Sequence, residues 1–296
     1  MSLICWNCRG LGNPRAVGHL RELRRSKRPR MLFLSETLLN REGMETIRRK
    51  LSYGSCFAVD NRGHSGGLAL LWDDCVTVTL LSFSNNHIDV VVENWGDDKW
   101  RFTEIYGFPE SNNKRATWNL MRSLYVQATY PWCMGGDFNC MLRRDEKCGG
   151  VPVPDSVLQG FRDAVSDCHL SDLRVSGFKY TWRRARTREK LDRLMGNQQW
   201  FNLFPMYGAE VLAHGSSDHS PLLLILKIAE WREKRSRFHF EDLWVSKPSC
   251  KQVVEDSWIS GHSTDPITDL MIVTGRCEAA LRIWSRKEVG DTPRKI

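Results

Sequence analysis

The 296-residue sequence has no run of about 18 consecutive apolar residues, the length a helix needs to cross a bilayer, which excludes a helical membrane span. The stretch Met1 to Leu11 also lacks the apolar segment of a secretory signal. Ten cysteines are present, but only Cys5 and Cys8 have CxxC spacing, and without a second such pair the spacing argues against zinc. Cys5, Cys56 and Cys133 lie inside apolar, strand-like runs, so the expectation is reduced thiols in a cytosolic or nuclear compartment rather than a disulfide scaffold. Solenoid-period repeats and low-complexity tracts are missing too, which leaves an ordinary globular chain.

With 41% hydrophobic and 26% charged residues, the chain can bury a core of roughly 200 to 250 residues plus a smaller appendage. Its net charge of +8 suits a polyanionic partner and equally a soluble basic surface. Residues 231–296 carry 12 basic and 10 acidic side chains, so +6 of that charge lies in residues 1–230. Between Arg21 and Arg30 six basic residues stand against Glu22 alone; this segment reads as a phosphate contact, a nuclear import signal or a solvated helix end.

Apolar periodicity alternates between helical and strand-like along the chain. SLICWN reads as a buried strand, Pro14 opens a helix with Val17, Leu20 and Leu23 on one face, and MLFLSET is a strand. Helix-like EGMETIRRKL leads into SCFAVD, GGLALLW, CVTVTLLSF, HIDVVVEN and WRFTEIYGF, expected to form an antiparallel meander with turns at NRGHSGG, DD and WGDD. A helix over roughly Asn112 to Ala128, a strand at PWCMGGDFN, a helix from Asp155 and a last strand SPLLLILKI complete a layered α/β pattern. After Ile228 the texture changes to the basic, aromatic WREKRSRFHFEDLW and then to an apolar stripe of Ile267, Leu270, Met271, Cys277, Leu281 and Trp284, expected to dock on something outside its own segment.

Five short polar clusters end apolar strands: Asn7 in ICWNCRG, Glu36 in LFLSET, Asp137 and Asn139 in GGDFN, Asp192 in KLDRL, and Asp218 with His219 in SSDHSP. Taken singly, each has a bland reading as a helix cap, a turn or a Pro-bounded loop. Taken together they supply what metal-assisted phosphodiester hydrolysis needs: oxygen donors for a hard cation, a group to orient water, and an imidazole to offset developing charge.

The set WNCRGLG, LSET, IYG, GGDFN, YTW, LDRL and SDHSPLLL resembles the endonuclease/exonuclease/phosphatase superfamily over about Leu3 to Lys227. WNCRGLGNPR, LFLSETLLN and LDRLMGNQQWFNLFP followed by SDHSPLLL are similar to its plant LINE-type (non-LTR) retrotransposon branch. The resemblance implies an α/β (α+β) four-layer sandwich, two mixed or antiparallel β-sheets packed face to face and flanked by helices. It implies domains at 1–228 (nuclease) and 229–296 (a helical, basic–aromatic linker toward a reverse transcriptase portion). It implies a Mg²⁺- or Mn²⁺-dependent enzyme that nicks DNA in the nucleus, leaving a 3′ hydroxyl for reverse transcription. Glu36 would be the principal metal ligand, with Asn7 helping to hold the metal or the scissile phosphate and Asp218 lying beside the metal or orienting the phosphate site; Asp137 would orient or deprotonate the attacking water, with Asn139 fixing its partner groups. His219, held by Asp192, would bond the phosphate or act with it as general base; Tyr106 would touch the phosphate, and Trp182 would pack beneath the cleft.

Two departures stand out. Arg9 occupies a position where repair members of the superfamily often have Asp or Asn, and the interval from Trp182 to Leu191 is shorter than usual. They keep open an inactive DNA-binding relic, and a phosphatase or abasic-site nuclease of the same fold, as alternative functions.

Overall fold

Strands with apolar residues on both faces must be covered on both sides, and the first strand already shows this: β1 (Ser2–Asn7) is buried at every position from Leu3 onward. The computed structural model describes residues 1–63, 65–93, 99–127, 129–213, 215–226, 240, 242–258 and 266–288. The expected turn at WGDD, the boundary at residue 228, most of the basic–aromatic stretch that follows and the terminal DTPRKI lie outside them. Two units are distinguished, Met1–Glu230 and Trp231–Ile296.

In the first unit, β1 leads into α1 (Pro14–Lys27), which starts on Pro14 with the Asn13 side chain accepting from the Arg15 amide at 3.0 Å. Next come β2 (Met31–Ser35) and α2 (Arg41–Leu51), the latter capped by Asn40. Five long strands follow: β3 (Ser55–Arg62), β4 (Ser65–Trp72), β5 (Thr77–Ser84), β6 (His87–Glu93) and β7 (Lys99–Tyr106). Then come α3 (Lys114–Val126), β8 (Trp132–Asp137), β9 (Lys147–Cys148), α4 (Asp155–Asp167), β10 (Ser171–Asp172), β11 (Ser176–Gly177), β12 (Trp182–Arg184), β13 (Thr187–Glu189), β14 (Asp192–Gly196), α5 (Gln198–Leu203), β15 (Gly208–Val211) and β16 (Leu222–Ile225).

One sheet has the order β11-β15-β16-β1-β2-β4-β3, a second β10-β14-β8-β7-β6-β5, and a small third β12-β13-β9. The expected single meander is thus divided between sheets: β3 and β4 extend the first, while β5, β6 and β7 form an antiparallel run in the second. The chain changes sheets at Asp73–Val76, where the Val76 amide bonds the Asp73 carbonyl at 3.0 Å. Alternation tells which side of a strand is apolar but not which partner it takes, so this switch has no periodic signature.

Three apolar layers confirm the four-layer α/β sandwich. Leu3, Cys5, Phe33, Leu70, Val90, Trp100 and Phe102 fill the space between the two large sheets. Ile4, Trp6, Leu32 and Leu34 point to the other face of the first sheet, against Val17 and Leu20 of α1 and Met44 and Ile47 of α2. Ile105, Trp132 and Met134 meet Trp118, Met121 and Leu124 of α3 and Phe161 and Val165 of α4 on the far side of the second. Cys5 and Cys8 therefore belong to different layers; all ten cysteines are free.

In the second unit, α6 (Pro248–Ser257) and α7 (Pro266–Glu288) enclose a small core of Trp244, Cys250, Cys277, Leu281 and Trp284. Part of the apolar stripe is thus satisfied within its own segment, contrary to expectation, while Leu270 stays 56% exposed. Among the described residues no helix is long and apolar enough to cross a membrane.

The second sheet holds α3 through a fully buried ion pair. Arg101 donates from Nε and from one terminal nitrogen to the two Asp89 oxygens at 2.8 Å each, and from the other to the Leu124 carbonyl at 2.8 Å. Thr103 Oγ1 donates to Asp89 at 2.6 Å and accepts the Trp132 indole N–H at 2.8 Å. Asp89→Ala strands the guanidinium, so urea unfolding should show a loss of about 3–5 kcal/mol. A loss below about 1 kcal/mol, the range of exposed pairs, would refute this role.

Candidate active site

Two of the parallel strand pairs, β1 with β2 and β7 with β8, are each joined through a helix, so their carboxyl ends emerge at matched heights. Asn7 ends β1 opposite Ser35, one residue before Glu36; Tyr106 ends β7 opposite Asp137, the last residue of β8. The antiparallel neighbour β14 begins there, with Asp192 paired to Asp137. The loop before β16 brings His219, whose carbonyl accepts the Trp6 indole N–H at 3.0 Å.

A continuous polar chain links these residues. Tyr106 Oη donates to Glu36 Oε1 at 2.6 Å, and Asn7 Nδ2 donates to the same oxygen at 3.2 Å and to Asp137 Oδ2 at 3.0 Å. Asp137 also accepts from the Asn139 backbone at 2.9 Å and side chain at 3.2 Å. His219 Nε2 lies 3.7 Å from Asp137 Oδ2, and its Nδ1 bonds Asp192 Oδ2 at 2.9 Å. Asp218 stands to one side, its Oδ2 accepting from Arg9 and, at 3.0 Å, from the Trp182 indole.

The backbone is bent hard to achieve this. Arg9, Glu36 and Asn139 have φ of 49°, 52° and 50°. For residues with a Cβ other than Asn this region is strained, and its recurrence around one cleft marks a place where geometry is imposed by the surroundings. Gly107 permits a close backbone approach: a Cβ there would lie 2.2 Å from the Phe138 carbonyl oxygen, while its N–H bonds the Asp137 carbonyl at 2.7 Å.

Burial pushes the Asp137 carboxyl up; the nearby His219 charge pulls it back and Asp192 adds to the rise. Burial alone would discharge His219, but the Asp192 and Asp137 carboxylates outweigh it and raise the imidazole to about 9. Glu104, on the same face of β7 as Tyr106, is fully buried with both oxygens unpartnered, and burial raises its carboxyl well above the usual carboxylate range. The donor chemistry fits a hard divalent cation: among the described residues no hydrogen bond reaches Glu36 Oε2, and the neighbouring donors are carboxylate and amide oxygens. Asp137, Asp192 and His219 bring ligand atoms within 4.8 Å of one another, but the imidazole makes that trio a poorer cradle for Mg²⁺ than Glu36.

Residues 4–219 match the Endonuclease/Exonuclease/phosphatase family. The chain belongs to that family. Solved structures of the same fold include the endonuclease domain of TRAS1, a telomere-specific non-LTR retrotransposon, at 12% identity and TM-score 0.59, covering 77% of this chain and 98% of that one. AP endonuclease LMAP from Leishmania major is similar at 13% identity and TM-score 0.59, covering 76% and 87%. The 3′-5′ exonuclease NExo from Neisseria meningitidis is similar at 17% identity and TM-score 0.55, covering 77% and 100%. No protein with a curated description matches the sequence.

As a member of the endonuclease/exonuclease/phosphatase family, the chain brings Asn7, Glu36, Tyr106, Asp137, Asn139, Asp192 and His219 together, with Asp218 beside them engaged by Arg9. Trp182 is half-buried against Met141, Leu158 and Leu191. Sequence reasoning missed three supports. Thr181 Oγ1 accepts from the Leu191 and Asp192 amides at 3.1 and 2.9 Å, and Ser217 Oγ donates to the Asn7 carbonyl at 2.8 Å while accepting the His219 amide at 3.1 Å. Lys114 reaches the Asn139 carbonyl. Thr181 and Ser217 lie inside quoted motifs, YTW and SSDHSP, but hydroxyls that brace backbone carry no pattern of their own.

The His219 shift has a sign that can be tested in metal-free protein. A raised folded-state pKa contributes stability that is complete below the ordinary value of 6.5 and is lost as pH rises through about 9. Imidazole NMR should therefore show His219 titrating above 6.5, and Asp192→Asn should lower its midpoint and flatten the alkaline loss of stability. An unshifted midpoint in Asp192→Asn would remove Asp192 as the cause.

Proposed function

We propose that this chain is a Mg²⁺-dependent DNA endonuclease of a LINE-type retrotransposon, nicking target DNA in the nucleus to leave a 3′ hydroxyl for target-primed reverse transcription. Mn²⁺ would serve as a substitute metal, residues 1–228 would be the nuclease, and 229–296 would lead to a reverse transcriptase portion. The observation that carries this reading is the cluster of hydrogen bonds from Tyr106 through Glu36 and Asn7 to Asp137, with the His219–Asp192 pair 3.7 Å from Asp137. The fold shared with the TRAS1 endonuclease domain and the basic balance of residues 1–230 support DNA as the substrate.

A divalent ion held at Glu36, with the Asn7 amide alongside, supplies Lewis-acid stabilisation of the phosphoryl charge. Asp137, its carboxyl raised by burial, is a base strong enough to take a proton from the attacking water, and Asn139 fixes it by two hydrogen bonds. His219 is kept protonated by Asp192, so Nε2 offers a charged donor to a phosphoryl oxygen; an imidazole already carrying its proton is poorly suited to be the general base. Tyr106 Oη, bonded to Glu36, is placed to shift to a phosphate oxygen as charge develops.

The test is nicking of supercoiled plasmid with and without Mg²⁺. Wild type should cut only with metal, and Glu36→Ala and His219→Ala should each lose at least about 100-fold with the fold intact by circular dichroism. Folded wild-type protein that binds DNA but never nicks it would replace this function with the inactive relic.

A further inference from the structure

The reaction outlined above gives no task to Arg9, a cation at the rim of the site. Arg9 is held within its own segment and by the loop before β16. Its backbone N–H donates to Asn7 Oδ1 at 3.2 Å, and one terminal nitrogen donates to Asp218 Oδ2, beside His219 in sequence. The same Asp218 oxygen accepts the Trp182 indole. Asp218 Oδ2 is thereby capped by a guanidinium and an indole, while Oδ1 is buried without a hydrogen-bond partner among the described residues. A cation so close to that carboxylate also repels a second cation.

Arg9 itself is not used up by this contact. Its side chain is 50% exposed while that of Asp218 is 15% exposed, and among the described residues only one guanidinium nitrogen is engaged. A guanidinium has five N–H donors in a planar fork that matches a phosphate, and an anchored one loses less side-chain entropy on binding than a free one. The ion pair alone, half in water, is worth little to stability, so its effect is chiefly to hold a partly free guanidinium beside the cleft.

We propose that Arg9 binds a DNA phosphate at or next to the scissile bond and that Asp218 is its anchor rather than a metal ligand, an inference that rests on the nuclease reading above. Asp218 orients Arg9 through the ion pair, and Trp182 orients Asp218 through the indole hydrogen bond. The site then holds its metal at Glu36 and meets the substrate's charge with two fixed cationic donors, His219 and Arg9.

The experiment measures binding of a fluorescent DNA duplex across a salt series in EDTA, so that no turnover intervenes. Arg9→Asn is the variant, because Asn tolerates the left-handed backbone at this position. It should reduce the slope of log affinity against log salt by about 0.9, the loss of one phosphate contact, and weaken different duplexes alike. In parallel, Mn²⁺ binding is followed by electron paramagnetic resonance. Glu36→Gln should lose at least about tenfold in affinity, whereas Asp218→Asn should stay close to wild type. An unchanged salt slope in Arg9→Asn, or a tenfold or larger loss of Mn²⁺ affinity in Asp218→Asn on the same order as about 10-fold for a ligand-shell change, overturns the inference and leaves the nuclease reading standing. Absence of salt-sensitive DNA binding by the wild type overturns both.

Discussion

Carboxylates gathered at the rim of an apolar sandwich repel one another, and burial magnifies the repulsion because little water screens it. Much of the polar architecture around the cleft offsets that charge. Glu36 and Asp137 come from different sheets and are bridged by the two hydrogens of one amide, Asn7 Nδ2. Asp192 is offset by the imidazolium it stabilises, and Asp218 by Arg9. Among the described residues Glu104 has no counter-charge beside it, and burial pushes its carboxyl well above the usual carboxylate range. Each acid is handled differently, and that gives each a distinct electrostatic environment.

The sandwich makes this economy of donors available. Each large sheet contains a parallel pair whose carboxyl ends reach the cleft, β1 with β2 and β7 with β8, and the two sheets face each other across a shared core. The carboxyl ends of β1, β2, β7 and β8 thus open onto one cleft, where strand-end loops aim side chains inward. The left-handed residues and the close approach at Gly107 show how tightly those ends are drawn together. Strain at Arg9 and Glu36 is tolerable because the sheets on either side are packed throughout, so the surroundings dictate the conformation.

Much of this was legible in the sequence for a physical reason. Residues that end buried strands and carry carboxylates or amides stand out against apolar neighbours, as Glu36 does in LFLSET and Asp137 does in GGDFN. Their convergence was not legible from spacing, since it depends on sheet pairing; it came from the motif resemblance. Helices were read to within a few residues where apolar periodicity was strong, as for α3, expected at Asn112 to Ala128 and found at Lys114–Val126. The crossing of the meander between sheets at Asp73–Val76 was invisible, because the apolar pattern of a strand does not say which sheet it joins. Arg101 was hidden as well: a charged residue inside WRFTEIYGF reads as surface until Asp89 and the end of α3 are brought to it. In the second unit, Trp244 and Cys250 lie too far from the α7 stripe for periodicity to pair them.

The short interval between Trp182 and Leu191 raised the question of whether Asp192 is displaced, and the way the hairpin is rooted answers it. Its tip is Ala185 and Arg186, between β12 and β13, with Ala185 left-handed at φ 50°. Its root is fixed independently of the tip. The Thr181 amide bonds the Glu189 carbonyl at 3.0 Å and the Lys190 amide bonds the Glu146 carbonyl at 2.9 Å. Buried Arg193, next to Asp192, pairs with Glu146 and, at 3.0 Å, with Asp172, which also holds Lys190 at 2.6 Å. β9 joins the same brace, pairing with β13 while Lys147 bonds Glu189. A change of length at the tip therefore alters how far the arginine-bearing hairpin reaches toward a partner, but not where Asp192 meets His219, and the 2.9 Å bond between them is intact. Hairpin length and catalytic geometry are separable variables in this fold, so a trimmed tip is no sign of a dismantled site.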